Sequence, residues 1–256
     1  MKKCFVFIAA AVAVFGLFGC VSDKDVLLPS DLTVGELEKQ MNSATDPRGV
    51  FAASNSYIMR QEIREKQFLD DDVIKMVEVK FEKPDKLALT TYEDNQIASV
   101  FCTDGKRGWI ADYNSKKVVM LSERGLRRMN MLAALSRPGS GGYQAVFDKV
   151  EINKCTNKDG EFYRLTCYGK EQPYPMYLYV DSRNFLLRQA KMKVSVNDKD
   201  AFDYESRILN YGKREGVLIP MHTEVRQLGA VQRSKVIHYE LNRKFDSSDF
   251  QAPVFL

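Results

Sequence analysis

The sequence contains few of the residues on which enzymes and metal sites depend. Among its 256 residues there are 2 histidines, 5 cysteines and 1 tryptophan. The motifs G-x-S-x-G of serine hydrolases, H-E-x-x-H of zinc proteases and C-x-x-C of metal and redox sites are all absent. The glycine-rich stretch at 139–142 has the spacing of neither a phosphate-binding loop nor a dinucleotide-binding turn. We therefore predict a non-enzymatic protein without a metal or a cofactor.

The two histidines flank one turn, in a geometry that does not favour a metal site. If Gly229-Ala230 forms the loop of the hairpin, His222 and His238 point to opposite faces of the sheet. A turn one residue longer would bring both to one face. No cysteine or third histidine stands nearby, so we expect hydrogen-bonded strand histidines and no metal ligands.

A strong charge of one sign is also missing. The 38 basic and 34 acidic residues give a net charge of +4 and form no block of like sign, which argues against a nucleic-acid partner. The acidic triplet at 70–72 predicts a solvated turn, because neighbouring side chains on an extended chain alternate between faces and cannot converge on a cation. A content of 45% hydrophobic and 28% charged residues is typical of a globular protein, here one large domain or one domain with appendages.

The first twenty residues predict an export signal. Lys2 and Lys3 precede a mostly apolar run at 4–19, which is short for a membrane span and of the right length for a signal-peptide core. The run ends in L-F-G-C at 17–20, which resembles the bacterial lipobox, although Phe18 is larger than the usual residue there. We predict a lipoprotein signal peptide at 1–19, a lipidated Cys20 and a tether at 20–31. The alternative is an ordinary signal peptide with a chance cysteine.

Cysteines are scarce in the rest of the chain. Cys102, Cys155 and Cys167 allow at most one disulfide and leave one free thiol. If Asp159-Gly160 is a two-residue hairpin loop, Cys155 and Cys167 lie on opposite faces and cannot bond, whereas a shifted turn would restore the pair. We read all three as small buried side chains.

The remaining sequence favours a β structure. Thr33 and Glu36 form a capping box that predicts a helix, which the D-P-R-G sequence at 46–49 ends. From about residue 56 apolar positions alternate, and turn sequences separate the alternating segments at hairpin spacing. Roughly eleven to thirteen strands follow, more than a flat open sheet carries. We predict a mainly β fold at 32–256, in which a curled antiparallel meander forms an open, unclosed barrel and a few helices act as plug or lid.

One helix interrupts the strands. Residues 124–136 place Leu126, Met129, Leu132 and Ala133 on or near one side and arginines on the other. The helix either plugs the curled sheet or forms a mobile lid over an apolar hollow, with the glycines at 139–142 as a hinge.

Several motifs in series resemble the LolA/LolB group of bacterial lipoprotein carriers and its outer-membrane lipoprotein-sorting relatives. They are V-K-F-E-K-P-D-K-L-A-L at 79–89, T-D-G-K-R-G-W-I at 103–110 with Y-N at 113–114, Y-L-Y-V-D at 177–181 with L-L-R-Q at 186–189, and N-Y-G-K-R-E-G-V-L-I-P at 210–220. The resemblance spans about residues 33 to 255. It implies an unclosed antiparallel barrel, helices that form a lid, and an apolar cavity for acyl chains.

The resemblance also identifies a departure. The soluble carrier of this family has an arginine before the proline of the first motif, and that arginine bonds to the lid. In this chain the position is Lys83, which is therefore the candidate for lid contact. The lysine ammonium is a point charge, whereas the arginine guanidinium is planar and can donate several hydrogen bonds at once. A chain with its own lipid anchor resembles the membrane-bound acceptor of the family. The residue after the lipidated cysteine is Val21, and not the aspartate that is associated with inner-membrane retention. We expect a location at the outer membrane, facing the periplasm.

These observations support three hypotheses of function. The first is a membrane-tethered, non-catalytic carrier or acceptor that binds the acyl chains of lipoproteins or lipids in an apolar cavity. The second is an envelope-stress or regulatory lipoprotein of the same fold that acts through an envelope protein partner. The third is a hydrolase with an unrecognised site. The side chains expected to line the cavity, taken from one of two possible strand faces, are Leu87, Leu89, Val100, Trp109 and Met120 from strands and Leu126, Met129 and Leu132 from the helix.

Overall fold

Among the residues that the structure describes, fourteen antiparallel strands form one sheet. The computed structural model describes residues 24–66, 73–136, 142–169, 173–195 and 201–255. The expected signal peptide, Cys20, the acidic triplet and positions 139–141 lie outside these residues. The strands are β1 (Val26–Pro29), β2 (Ser56–Lys66), β3 (Val73–Glu82), β4 (Lys86–Glu93), β5 (Gln96–Thr103), β6 (Gly108–Asp112), β7 (Lys117–Met120), β8 (Lys149–Asn157), β9 (Gly160–Tyr168), β10 (Met176–Asp181), β11 (Leu187–Ser195), β12 (Ala201–Arg214), β13 (Val217–Gln227) and β14 (Ala230–Leu241).

The sheet consists of two meanders joined side by side. Strands β2 to β7 follow one another as hairpins, strands β8 to β14 do the same, and β14 pairs with β2 to join the two sets. The sheet does not close, because β1 and β7 are its two edges. The prediction of a mainly β, curled and unclosed barrel is confirmed. The number of strands is higher than expected, in part because β1 forms within the segment that we expected to be a tether.

In the described part of the chain, four α-helices and one short 3-10 helix accompany the sheet. They are α1 (Val34–Thr45), α2 (Val50–Ala53), α3 (Glu123–Ser136), α4 (Tyr143–Val146) and a 3-10 turn at Ser247–Phe250. The capping box predicted for α1 is present, with the Glu36 carboxylate bonded to the Thr33 N–H at 2.8 Å. The predicted interrupting helix is α3. None of the helices among the described residues is both long and apolar enough to cross a bilayer.

One face of the sheet, here called the inner face, carries the helices. A first apolar cluster joins β2, β3, β4, β13 and β14 to α3, and a second joins β8 to β11 to α1, α4 and the other side of α3. Phe81 is fully buried in the first cluster and Leu165 in the second. Burial of such side chains contributes about 1.5–3 kcal/mol each, so helix and sheet are held together mainly by apolar contact.

The opposite, outer face buries charged groups. The Glu78 side chain is 3% exposed and lies 2.6 Å from the Arg60 guanidinium, and Glu224 is 7% exposed and lies within 3 Å of Arg226 and Arg233. A small apolar cluster at the β4 to β6 end of this face contains Trp109. A second small apolar cluster, with Cys155, Phe162 and Tyr179, lies on the β8 to β10 part of this face. The outer face therefore combines ion pairs with two small apolar clusters.

Two predicted turns are shifted by one residue. The β8–β9 loop is Lys158-Asp159, because Asn157 pairs with Gly160, and the β13–β14 loop is Leu228-Gly229. Gly229 has φ +80°, a conformation that glycine adopts without strain. The first shift leaves the faces unchanged, so Cys155 and Cys167 still lie on opposite faces and are unpaired. The shift of the β13–β14 loop places His222 opposite Lys235. A bulge between Val236 and His238 in β14 places His238 opposite Arg60 of β2.

Candidate functional site

Helix α3 covers the most apolar part of the inner face. Met129 and Ala133 point into the first cluster and are 6% and 0% exposed. They pack in the same cluster as Leu87 and Leu89 of β4. Because this helix bridges both clusters with its opposite sides, it closes the inner face as a cover lying over a preformed apolar wall.

Among the described residues, polar contacts attach this cover at the β5–β6 turn and at Tyr57 of β2. Asn130 donates to the Gly105 carbonyl at 3.1 Å and lies 3.2 Å from the Thr103 hydroxyl, which fastens α3 to the β5–β6 turn. At the end of the helix, Ser136 is hydrogen-bonded to the buried Tyr57 hydroxyl, whose pKa burial raises to about 12. Neutral hydrogen bonds of this kind contribute about 0.5–1.5 kcal/mol each, so they add orientation to a helix that is held mainly by apolar contact.

A cleft opens beside the cover. Its volume is about 640 Å³, within the range of about 300–1,000 Å³ that small-molecule pockets occupy. Its walls are α1, the chain from 45 to 52, the end of α3 and the start of α4. The apolar side chains in the lining belong to both core clusters: Phe51 packs on the first, and Met41, Leu135 and Val146 pack on the second. The cleft therefore lies where the two clusters meet.

The carboxylates at the rim of the cleft are engaged in structural bonds. Glu38 accepts the backbone N–H of Tyr143 at the start of α4, and Asp46 accepts the N–H groups of Val50 and Ala52 in α2. The Tyr143 residue is half-buried, and the desolvation of its hydroxyl raises the pKa of that group above the ordinary value. These groups hold the walls of the cleft in place, and none is arranged as a nucleophile beside a general base.

Cysteine and metal chemistry have no arrangement to support them in the part of the chain that the structure describes. No three histidine, cysteine or acidic side chains converge there. Burial raises the pKa values of Cys102, Cys155 and Cys167 to about 12, 11 and 12, so the thiols are protonated and unreactive. What the inner face offers is apolar surface.

The structure brings some of the expected lining residues together. Leu87, Leu89 and Met129 share the first inner-face cluster. Leu126 is half-buried and approaches Gly108, next to that cluster. Leu132 is 42% exposed at the side of α3.

Val100, Trp109 and Met120 lie on the outer face. Val100 and Trp109 pack in the small outer cluster, and Met120, 56% exposed, pairs with Trp109 across the β6–β7 ladder. The cause is one β-bulge at Ala98. Without it, the β4–β5 hairpin would place Val100 opposite Leu89; the bulge moves Phe101 into that position and turns every later side chain to the other face.

Other inner-face residues were not selected from the sequence. Tyr57 and Phe81 stack with ring centroids 5.6 Å apart beneath α3, and Phe51 reaches Tyr57 from the cleft. Alternation along β3 contained the signal for Phe81, because the apolar positions Val77 and Val79 share its face. Phe51 lies in a short helix that no sequence pattern indicated.

Lys83 is bonded to helix α2, and among the described residues it has no hydrogen bond or ion pair with α3. Its ammonium donates to the Ala52 carbonyl of α2 at 3.2 Å in an exposed position. The lysine therefore joins the β3–β4 turn to the far wall of the cleft. A single exposed bond of this type contributes little to stability.

Solved structures support this architecture, whereas the sequence comparisons find no match. No family model matches the sequence, and no curated protein matches it. Among solved structures, a LolA superfamily protein from Nitrosomonas europaea matches with a TM-score of 0.56 at 14% identity, over 86% of this chain and 98% of that one. A protein domain from Vibrio parahaemolyticus described as outer membrane lipoprotein-sorting matches with a TM-score of 0.56 at 12% identity, over 84% and 94%.

A third structure, a DUF1329 family protein from Desulfovibrio piger, has a TM-score of 0.54 at 11% identity and covers 84% of this chain and 97% of that one. Each match spans nearly the whole of the other protein, so the likeness concerns the complete arrangement of sheet and helices. Identities this low carry information about the fold alone. The chain therefore has the LolA-like fold.

Proposed function

We propose that this protein is a membrane-anchored, non-catalytic carrier or acceptor that shelters the acyl chains of lipoproteins or lipids in the bacterial cell envelope. The observation that carries the proposal is α3, an amphipathic helix that covers the apolar inner face by packing on both core clusters beside an open cleft. The likeness to a domain described as lipoprotein-sorting agrees with it.

The mechanism relies on the hydrophobic effect. An acyl chain enters the cleft past Phe51 and Leu135 and advances along the seam between the two clusters. As α3 moves away, the chain replaces Met129 against Leu87 and Leu89. Each sheltered methylene contributes about 0.8 kcal/mol, and release follows where a membrane offers an equally apolar environment.

The anchor is the proposed lipid on Cys20. Two or three acyl chains hold a protein to a bilayer without a transmembrane helix, since each buried methylene again contributes about 0.8 kcal/mol. We place the protein at the outer membrane, facing the periplasm, with acylated lipoproteins or lipids as its ligands.

Extraction of bound lipid tests the binding site. The purified protein should carry copurifying acyl lipid, measured by organic extraction and mass spectrometry. Leu89→Asp should lower the lipid content at least about tenfold, since a charge in the lining costs more than 1.4 kcal/mol. Val100→Asp is the matched control, because Val100 is a half-buried residue of the next strand on the outer face, and its lipid content should stay unchanged. Equal retention by both variants would contradict the proposed site.

Fractionation tests the anchor separately. Cys20→Ala should move the protein from the membrane fraction to the soluble fraction, because the acylated thiol is lost. Continued membrane association would count against lipidation at this residue.

A purified protein that carries no acyl lipid but copurifies with an envelope protein would instead support the regulatory hypothesis.

A further inference from the structure

The edge strand β1 exposes apolar side chains. Val26, Leu27 and Leu28 are 54%, 38% and 58% exposed, and they lie on both faces of the strand. The strand pairs with β8 on one side only, so its other side has no partner strand among the described residues. Exposed apolar residues grouped in this way on an edge mark a contact surface.

The chain immediately before β1 is fastened to the sheet. The Asp25 carboxylate accepts hydrogen bonds from the Tyr179 hydroxyl at 2.7 Å, from Asn157 at 3.0 Å and from Arg164 at 3.1 Å. Burial opposes ionisation of Asp25, but these bonds outweigh it and hold the pKa of the carboxyl below its ordinary value. We call this arrangement the Asp25 clip. It fixes the point at which the N-terminal chain joins the folded domain.

The clip leaves a short link to the anchor. Five peptide units separate Cys20 from Asp25. Because an extended chain spans at most about 3.3–3.6 Å per residue, the clip lies within about 17 Å of the lipidated residue. Without the clip and the β1–β8 pairing, the link would continue to about residue 30 and reach about twice as far.

We propose that the β1 edge lies against the surface of the bilayer, with Val26 and Leu28 in the interface and the Asp25 clip holding it there. This inference rests on the proposed lipidation of Cys20. It also orients the cleft, because the α1 wall begins at Gly35, seven positions beyond Leu28 and so within about 25 Å of it. An acyl chain leaving the membrane then has a short path to the inner face.

The opposite edge supplies the internal comparison. Val118, Val119 and Met120 of β7 are 37%, 59% and 56% exposed, much as in β1. That edge has no link to an anchor and lies at the other end of the sheet order. Apolar exposure alone would favour both edges equally, whereas the tether selects β1.

Fluorescence quenching tests the orientation in the full lipidated chain. Trp109 is replaced by phenylalanine in every variant, which leaves one introduced tryptophan as the reporter. Leu28→Trp and Met120→Trp proteins, whose replaced side chains are 58% and 56% exposed, are reconstituted in vesicles of phosphatidylcholine with or without bromine on the acyl chains. Circular dichroism checks that each variant is folded.

The two reporters should differ. Because interfacial side chains enter about 5–10 Å into the headgroup and acyl boundary, we expect bromine to reduce the Leu28→Trp emission by about half or more. The Met120→Trp emission should change little. Equal quenching of both, or quenching of Met120→Trp alone, would overturn the proposal.

The clip is tested with a matched pair of variants. In the Leu28→Trp protein, Asp25→Ala should lower the quenching, because the link to the anchor lengthens. Asp31→Ala removes a carboxylate that also bonds a tyrosine and a basic residue, Tyr163 and Lys154, but lies after β1. It should leave the quenching unchanged. Equal effects of both variants, or no effect of either, would contradict the role of the clip.

The outcomes separate this inference from the proposed function. If Cys20→Ala leaves the membrane distribution unchanged, the anchor itself is wrong. If the protein is anchored and carries lipid but Leu28→Trp is not quenched, the orientation alone is wrong.

Discussion

The inner face of the sheet buries apolar side chains under the helices, whereas the outer face buries charged side chains beside two small apolar clusters. On the inner face Phe81 and Leu165 pack among apolar neighbours under the helices, whereas on the outer face Glu78 and Glu224 are buried among basic residues. Apolar contact is not directional, so another apolar group can replace it. Ion pairs depend on fixed geometry and strand register. The comparison teaches that contacts on the inner face depend on apolar area, whereas contacts on the outer face depend on strand register. The exchange of α3 for an acyl chain that we propose therefore concerns the inner face alone.

The largest effect should come from the inner core. Phe81→Ala removes a fully buried ring that stacks on Tyr57, and we expect a loss of about 3–5 kcal/mol in the free energy of unfolding. Phe101→Ala, on the same face and 39% exposed, should lose about 1 kcal/mol or less. Urea titration measures both. Similar losses would show that burial under the helices does not determine how much an inner-face side chain contributes to stability.

A smaller effect is expected from the outer face. Hydrogen bonds from Arg226 and Arg233 hold the pKa of Glu224 below its ordinary value of 4.5. The folded state is therefore stabilised above that pH and loses the contribution as pH falls through the lowered pKa. Glu224→Gln should cost about 1–2 kcal/mol at neutral pH, a modest value because the two arginine side chains are 56% and 69% exposed.

The pH dependence of stability shows whether the charge of the Glu224 carboxylate causes this effect. The difference in stability between the wild-type protein and Glu224→Gln should shrink as pH falls below about 4.5. A difference that stays constant down to pH 2 would show that the carboxylate charge is not the cause.

Loss of the hydrogen bonds that attach α3 should destabilise that helix locally. Asn130→Ala removes the bonds to Gly105 and Thr103 and should lower the free energy of opening of α3 by about 0.5–1 kcal/mol. Hydrogen exchange of the α3 amides measures this change. Glu123→Ala, whose side chain is 92% exposed on the same helix, should change exchange little. If Asn130→Ala leaves the exchange of α3 unaltered, the polar attachment has no role in closing the inner face.

The smallest effect is expected from the cysteines, which lie on both faces. Cys102 and Cys155 on the outer face and Cys167 on the inner face have pKa values raised by burial to about 12, 11 and 12. None of the three should react with a thiol reagent at pH 8 in the folded protein, and all three should react after unfolding. Rapid reaction of any of them in the native state would contradict its burial.

Much of the fold could be predicted from the sequence because its signals are local. The capping box of Thr33 and Glu36 indicated the start of α1, and the helical pattern at 124–136 matched α3 to within one residue. Alternation and turn sequences indicated most of the hairpins. Strand β1 has no such signal, since V-L-L-P does not alternate and depends on pairing with β8.

The site was harder to predict because one residue decides the faces. The bulge at Ala98 contains no glycine or other special residue, yet it reverses the face of every side chain in the rest of β5, β6 and β7. Leu87 and Leu89 precede it and lie on the inner face, whereas Val100 and Trp109 follow it and lie on the outer face. The periodicity of a strand shows that its side chains alternate between two faces, but it does not show which face is the inner one. A register error of this kind therefore cannot be detected from the pattern.

Cross-linking α3 to the sheet tests the central claim most directly. Thr103→Cys/Asn130→Cys places two thiols at neighbouring positions, whose native hydroxyl and amide oxygens lie 3.2 Å apart, and a disulfide between them should lock the cover. We predict that the oxidised protein takes up no fluorescent acyl lipid and that reduction restores the uptake of the same sample. Undiminished uptake by the oxidised protein would contradict the account, because acyl chains would then bind without access to the inner face beneath α3.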